Sequence, residues 1–252
     1  MASDRITDPR QRLLVALDVP TLPEALALVV ELRDLVGGFK VGLELCTSVG
    51  VPQVVEAISA AGGQLFLDLK LKDIPNTVAG AMRAIVGGSF GAGVRMLTLH
   101  CDGGSAMLRA AVEAAHTASP RPPLLVGVTL LTSLDQQALN FELRAGDTTE
   151  DYVVHMARLA QAAGLEAVVT SPAEVAAVKA ACGPKLLTIT PGVRPIWATS
   201  GDQRRVLTPA EALRAGSDYL VIGRPITAAP PEIGGPAEAA RRIVQEIRRV
   251  YT

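Results

Sequence analysis

Aromatic side chains are scarce in this sequence, which has four Phe, three Tyr and one Trp among 252 residues. Hydrophobic residues still make up 49% of the chain, so the core must be built mainly from Ala, Val, Leu and Ile. Such cores are typical of parallel strands covered by helices. The length suits one α/β barrel of about 250 residues, and we therefore expect a single domain over residues 1–252.

Cysteine is also rare, since only Cys46, Cys101 and Cys182 occur and no two of them form a C-x-x-C pair. An odd, scattered set of thiols is more typical of a reducing cytosol than of a disulfide framework or a zinc site. No His, Cys and carboxylate cluster has the spacing of metal ligands. The sequence therefore predicts a protein without a bound metal.

The chain lacks a strong charge of either sign, because its formal net charge is −1. Proteins that bind nucleic acid or anionic membranes usually carry a basic excess. The polar segment Met1–Gln11 is unlike a signal peptide, and no apolar run reaches the roughly 20 residues that span a bilayer. We expect a cytoplasmic protein that binds neither nucleic acid nor a membrane.

Short runs of leucine and β-branched residues alternate along the chain with longer alanine-rich amphipathic segments. The expected strands are Arg12–Asp18, Phe39–Leu45, Gln64–Lys70, Val94–His100, Leu124–Leu130, Ala167–Ser171, Lys185–Thr190 and Tyr219–Gly223. The expected helices are Leu22–Val36, Val51–Ala61, Pro75–Val86, Ser105–Ala118, Glu150–Ala163, Ala173–Ala181, Pro209–Ala215 and Ala237–Val250.

Strands that alternate with helices imply parallel pairing through right-handed crossovers. The pattern therefore predicts a (β/α)₈ TIM barrel, with an open doubly wound sheet as the alternative. In such barrels the active site lies at the C-terminal ends of the strands. Polar residues at those ends are thus the first candidates for function.

The most informative motif is Asp68-Leu-Lys-Leu-Lys-Asp73, which runs from the third strand into the following loop. Residues two apart in a strand share a face, so Asp68 and Lys70 should point into the barrel while Leu67 and Leu69 face the helices. Isolated charges are costly to bury, but opposite charges side by side are tolerated. The motif predicts either a structural ion-pair network or an active site.

Two further charged residues occupy strand positions. Lys40 lies between Phe39 and Val41, which favours an inward Lys over a solvated one. Asp18 ends the first strand, where it could serve the site or cap the turn that follows.

A phosphate site is predicted after the eighth strand, where Gly223 precedes Arg224. Barrels often bind phosphate with the loops after strands seven and eight. Glycine allows close backbone approach and arginine supplies a bidentate charged fork. The long polar loop Pro191–Val206 contains Arg194 and Gln203, and loops of this length are often lids. The alternative is that Arg224 is a surface charge.

Several segments together resemble the orotidine 5′-phosphate decarboxylase family, of the bacterial type, in order and over nearly the whole chain. They are Leu17-Asp18, Phe39-Lys-Val-Gly-Leu-Glu44, Asp68-Leu-Lys-Leu-Lys-Asp-Ile-Pro-Asn-Thr77, Leu131-Thr-Ser133, Thr190-Pro-Gly-Val-Arg194, Gly201-Asp-Gln203 and Val221-Ile-Gly-Arg-Pro-Ile226. The resemblance implies conversion of orotidine 5′-phosphate (OMP) to uridine 5′-phosphate (UMP) and CO₂, the last step of de novo UMP synthesis, without metal or cofactor.

The catalytic residues implied by the resemblance are Lys70, Asp68, Asp73 and Lys40. Lys70 would protonate C6 of the pyrimidine, and the other three would complete an alternating charge array. The implied substrate contacts are Asp18 and Lys40 at the ribose, Thr132 at the pyrimidine, Arg194, Gln203, Gly223 and Arg224 at the phosphate, and Asp68, Ile74, Thr77 and Pro191 elsewhere around the substrate.

The resemblance also implies a homodimer with shared active sites, because Asp73, Ile74 and Thr77 would reach into the neighbouring subunit. One departure is Lys72, where many relatives have His. Lys72 lies between catalytic positions, and we expect its side chain to point away from them.

Two other functions are compatible with the same motifs. Barrel relatives with a D-x-K-x-x-D motif include metal-dependent sugar-phosphate decarboxylases and hexulose-phosphate synthases, which sensitivity to EDTA would reveal. A catalytically silent phosphate-binding barrel is the other alternative. Four charged residues held close together are energetically costly, and a protein without catalytic activity has no evident reason to keep them. The set Lys40, Asp68, Lys70 and Asp73 therefore argues against a silent barrel.

Overall fold

The computed structural model describes residues 6–198 and 207–251. Within these residues eight parallel strands pair in sequence order, and the last pairs with the first to close a barrel. The strands are β1 (Leu13–Ala16), β2 (Gly38–Val41), β3 (Leu65–Leu71), β4 (Val94–His100), β5 (Leu124–Val128), β6 (Ala167–Val169), β7 (Leu187–Thr190) and β8 (Tyr219–Ile222). The predicted (β/α)₈ barrel is confirmed, and the open sheet is excluded.

Helices follow the strands and pack against the outside of the barrel. Those in the described residues are α1 (Leu22–Leu32), α2 (Leu43–Val49), α3 (Val51–Ala60), α4 (Pro75–Gly87), α5 (Ser105–Ala118), α6 (Gln136–Phe141), α7 (Thr149–Ala162), α8 (Val175–Cys182), α9 (Pro209–Arg214), α10 (Arg224–Thr227) and α11 (Gly235–Arg248). Thr21 caps α1 by accepting the Glu24 N–H.

The expected strand Phe39–Leu45 was wrong at its C-terminal end, because β2 stops at Val41 and α2 begins at Leu43. Gly42 separates the two elements as the residue before the helix. Short apolar runs do not distinguish a strand from a helix. The expectation of one continuous strand missed this glycine break.

The short helices α6 and α10 were also not expected. Helix α6 has six residues and α10 has four, which is too few for a helical period to emerge from the sequence. Asp135 nevertheless caps α6, since its Oδ1 accepts the Ala138 N–H at 2.9 Å. The cap was the available signal for this element.

Apolar side chains form two separate layers. One lies inside the barrel and the other lies between strands and helices, as the alternation of strand side chains requires. In β3, Phe66 belongs to the inner layer and Leu67 to the outer one. The inner layer consists of Leu14, Ala16, Phe66, Met96, Val126, Ala167, Ile189, Tyr219 and Val221. It fills the barrel below the C-terminal strand ends.

A buried ion pair joins α8 to the residue just before β8. Lys179 Nζ lies 2.5 Å from Asp218 Oδ2, and the Thr188 N–H donates to the same oxygen at 2.8 Å. Asp218 is 1% exposed. The pair lies toward the N-terminal ends of the strands, on the opposite side of the barrel from the candidate site. In the part of the chain described, no helix is long and apolar enough to cross a membrane.

Candidate active site

Three charged side chains meet at the C-terminal mouth of the barrel, Asp68 and Lys70 from β3 and Lys40 from β2. Lys70 Nζ lies 2.8 Å from Asp68 Oδ2, and Lys40 Nζ lies 3.4 Å from the same oxygen. Asp68 is only 8% exposed. A buried carboxylate between two ammonium groups avoids the cost of an isolated buried charge. All three residues point inward, as the strand alternation predicts.

Asp18 extends this group of charges at the end of β1. Its Oδ1 lies 3.2 Å from Lys40 Nζ, and its side chain is 62% exposed. The charges therefore alternate in the order Asp18, Lys40, Asp68, Lys70, with Lys40 and Asp68 the most buried of the four. The contact with Lys40 favours a role for Asp18 in the site over a purely local cap.

The pKa of Asp68 is held below its usual value. Burial by itself raises this pKa, but the charge of Lys40, the hydrogen bond and charge of Lys70 and the hydrogen bond from Thr98 together outweigh burial. Asp68 is thus a carboxylate at neutral pH. A substrate anion that approaches it meets a fixed negative charge beside two positive ones.

A cavity of about 210 Å³ opens above the charged residues. Its floor is apolar and consists of inner-layer residues of the barrel. Its walls come from β2, β3 and the segments after β5 and β7. The lining residues are Lys40, Phe66, Asp68, Lys70, Val128, Leu130, Leu131, Thr132, Val169, Ile189, Pro191 and Val221. The predicted positions Thr132 and Pro191 therefore lie in the same cavity as the charges.

Asp73, Ile74 and Thr77 are placed differently. All three are exposed at the start of α4, and Ile74 is 66% exposed. Asp73 Oδ1 accepts a hydrogen bond from the backbone N–H of Ile74 at 2.6 Å. The fold thus presents this segment to the surface beside the mouth and does not bring it into the cavity.

Two of the predicted phosphate residues, Gly223 and Arg224, lie after β8 at the C-terminal mouth. Gly223 separates β8 from α10, and Arg224 is exposed at the first position of α10. Gly223 lies next to Asp18, since a Cβ atom at position 223 would be 3.8 Å from Asp18 Oδ2. Arg194 is half-buried, and its backbone N–H donates to Leu207 O at 3.1 Å. Gln203 lies outside the described residues.

Lys72 follows the end of β3 and points away from the cavity, as expected. Its Nζ lies 2.6 Å from Asp102 Oδ2, and the other carboxylate oxygen lies 3.5 Å from His100 Nδ1. Burial lowers the pKa of His100, while the charge of Asp102 opposes this shift. His100 and Lys72 thus share Asp102 at the end of β4, where the charges of Lys70 and Asp68 also act on His100.

Thr98 was missed by the sequence analysis. It is fully buried in β4 and contacts both Asp68 and the backbone of Lys70. The available signal was its position between Leu97 and Leu99, two leucines of the outer layer, which turns this polar residue toward the barrel interior.

Comparison with known proteins identifies the relatives of this chain. Residues 11–243 match the model of the orotidine 5′-phosphate decarboxylase / HUMPS family. The chain belongs to this family. An orotidine 5′-phosphate decarboxylase from Moorella thermoacetica is 51% identical over 96% of this chain and 94% of its own length. Another from Heliobacterium modesticaldum is 46% identical over 95% and 97%.

A solved structure of a family member has the same architecture. The crystal structure of orotidine 5′-phosphate decarboxylase from Lactobacillus acidophilus superposes with a TM-score of 0.79 at 31% sequence identity. The match covers 93% of this chain and 98% of that one. The family barrel is thus preserved across almost the whole length of both chains.

Proposed function

We propose that this chain converts OMP to UMP and CO₂, as the last step of de novo UMP synthesis. The observation that carries the proposal is the alternating array of Asp18, Lys40, Asp68 and Lys70 at the mouth of an apolar-floored cavity. The names of the curated relatives support the same activity.

The reaction breaks the bond between C6 of the pyrimidine and its carboxylate carbon. The electron pair stays on C6 in the ring plane, and CO₂ leaves without charge. Lys70 then transfers a proton from its ammonium to C6 and regains one from solvent. An ammonium beside C6 stabilises the developing negative charge electrostatically, which replaces the electron sink that a cofactor would supply.

Asp68 contributes by its charge. Its carboxylate would lie near the substrate carboxylate, and two like charges about 4 Å apart repel by roughly 4 kcal/mol at an effective dielectric of about 20. The repulsion is relieved as CO₂ departs. Because Lys40 and Lys70 hold Asp68 ionised, this repulsion is present throughout the neutral pH range.

Residues in and around the cavity are assigned to the ribose, the pyrimidine and the phosphate of the substrate. Asp18 and Lys40 would bind the ribose hydroxyls at the rim, and Thr132 and Pro191 would contact the pyrimidine above the apolar floor. The phosphate would be held by Arg194, Gln203, Gly223 and Arg224. Binding energy from the phosphate, which does not react, can help to bring the charged groups together.

The active form is proposed to be a cytoplasmic homodimer of single-domain subunits with shared active sites. Asp73, Ile74 and Thr77 support this arrangement, because they are exposed beside the mouth. The large apolar side chain of Ile74 is 66% exposed there, as expected of a residue covered by a partner. Asp73 and Thr77 would then complete the neighbouring subunit's site.

The first experiment follows the ultraviolet absorbance of OMP with purified protein in the presence of EDTA. We expect loss of OMP and formation of UMP, because the proposed chemistry needs neither metal nor cofactor. Turnover that requires added Mg²⁺ and a sugar phosphate would identify the metal-dependent alternative. Binding of UMP without any turnover would identify a silent phosphate-binding barrel.

A further inference from the structure

The backbone of β3 leaves the regular sheet pattern at the proposed catalytic lysine. Pairing with β4 runs through Leu67 opposite Leu97 and resumes at Leu71 opposite Leu99. The three residues from Asp68 to Lys70 thus oppose Thr98 alone. Lys70 has φ 51°, a left-handed conformation that is uncommon outside glycine. Bulges of this kind leave backbone groups without ladder partners.

Thr98 supplies the partner that the bulge lacks. Its Oγ1 accepts the Lys70 backbone N–H at 2.8 Å and lies 2.9 Å from Asp68 Oδ1. An amide N–H can only donate, so the hydroxyl oxygen accepts there and its proton points to the carboxylate. Thr98 is 0% exposed, so no solvent competes for either bond.

The contacts form a closed ring through both ends of Lys70. Its backbone N–H reaches Thr98, Thr98 donates to Asp68 Oδ1, and Asp68 Oδ2 accepts from Lys70 Nζ at 2.8 Å. A β-branched side chain such as Thr has little rotamer freedom, so the ring is anchored to the β4 backbone. Loss of the hydroxyl would break two of the three bonds of this ring and leave the Lys70–Asp68 ion pair without its link to the β4 backbone.

We propose that Thr98 is a positioning residue, which fixes the ammonium of Lys70 and the carboxylate of Asp68 relative to each other through one buried hydroxyl. The part that concerns turnover rests on the proposed decarboxylase function. Thr98 does not line the cavity, so its effect should fall on kcat and leave the KM for substrate nearly unchanged.

The test compares Thr98→Val with Thr98→Ser, which keeps the hydroxyl, and with Thr98→Ala, which removes it without adding a methyl. Thr188→Val is the matched control, because Thr188 is equally buried and its hydroxyl lies 3.3 Å from Asp218 Oδ2, away from the cavity. The measurements are kcat, KM for OMP, the pH profile of kcat and thermal unfolding.

We expect Thr98→Val and Thr98→Ala to lower kcat by roughly 10- to 100-fold, as loss of a hydrogen bond to a charged group predicts. KM should change little, and the acid limb of the profile should move to higher pH, because Asp68 loses a donor. Thr98→Ser should restore most of the activity. Thr188→Val should keep the wild-type kcat and pH profile even where it lowers the melting temperature.

A crystal structure of Thr98→Val tests the positioning without reference to activity. We expect φ of Lys70 to leave the left-handed region and the distance from Lys70 Nζ to Asp68 to lengthen. An unchanged Lys70 there, or wild-type kcat in folded Thr98→Val and Thr98→Ala, would overturn the role of Thr98. A wild-type protein that fails to decarboxylate OMP would instead refute the proposed function and leave the structural test to decide on Thr98.

Discussion

Lys72 Nζ binds Asp102 Oδ2 at 2.6 Å, whereas Lys70 Nζ, two residues earlier in the chain, binds Asp68 Oδ2 at 2.8 Å. The same residue type thus makes the same kind of contact in two directions from one strand end. Only the Lys70 pair lines the cavity. Substitution of either lysine removes the same charge, but only Lys70 lies at the cavity. A comparison of the two variants therefore shows whether turnover depends on the position of the charge.

Lys70→Ala is expected to abolish decarboxylation and to leave binding of the product UMP largely intact, because the phosphate and ribose contacts lie elsewhere. Lys72→Ala removes the same charge and should keep kcat near the wild-type value. Steady-state kinetics and calorimetric titration with UMP measure both effects. Near-normal turnover by Lys70→Ala would refute its role as the proton donor.

Shared active sites predict complementation between two inactive variants. In a hybrid dimer of Lys70→Ala and Asp73→Asn subunits, one site would carry both changes and the other site neither. Random reassembly makes half of the dimers hybrid, so activity should recover to roughly a quarter of wild type. Each variant reassembled with itself is the control. Absence of recovery in verified hybrid dimers would place Asp73 in its own subunit's site.

The buried pair of Lys179 and Asp218 should serve stability alone. Asp218→Ala removes the carboxylate that pairs with the Lys179 ammonium and accepts the Thr188 N–H, and it leaves Lys179 with the Leu186 carbonyl alone. The change should cost about 3 kcal/mol of unfolding free energy. Arg242→Ala is the control, because its exposed pair with Glu238 should be worth about 0.5 kcal/mol or less. Urea denaturation measures both, and KM for OMP should stay at its wild-type value. A changed KM in Asp218→Ala would connect this pair to the site.

His100 should make the protein less stable in mild acid. Its pKa in the folded protein is lowered by burial, so the unfolded chain takes up a proton at a higher pH than the folded protein does. The contribution of neutral His100 to the free energy of unfolding is fully present above about pH 6.5, the ordinary histidine pKa. It falls as the pH drops from there toward the lowered pKa of His100 in the folded protein. His100→Asn should flatten this decline in urea denaturation between these pH values.

His155→Gln is the control for His100, because His155 is exposed on α7. It should keep the wild-type dependence of stability on pH. An equally steep decline in His100→Asn would assign the loss of stability to other groups, with the carboxylates as the next candidates.

The barrel and most of the charged site were predictable, because both follow from strand alternation. Asp68, Lys70 and Lys40 each lie opposite apolar neighbours, and a period of two gives their direction without further information. Thr98 carried the same signal but formed no motif with nearby residues. Its partners are 28 and 30 positions away along the chain, and only the closed sheet brings them together.

Backbone geometry was beyond prediction from the sequence. Nothing in Asp68-Leu-Lys-Leu-Lys indicates that three residues face one across the sheet, since a bulge depends on the register of the neighbouring strand. The end of β2 at Val41 had a local cause in Gly42, but a short apolar run conceals such a break.

The left-handed backbone conformation of Lys70 places opposing demands of catalytic activity and local stability on one residue. Glycine adopts φ 51° without steric cost, whereas lysine does not. Glycine or asparagine at position 70 would relieve this backbone strain, but it would also remove the proposed proton donor and one of the two ammonium groups that pair with Asp68. Directed evolution of a more stable protein would have to select for turnover at every round, because relief of the backbone strain at position 70 removes the group that the reaction needs.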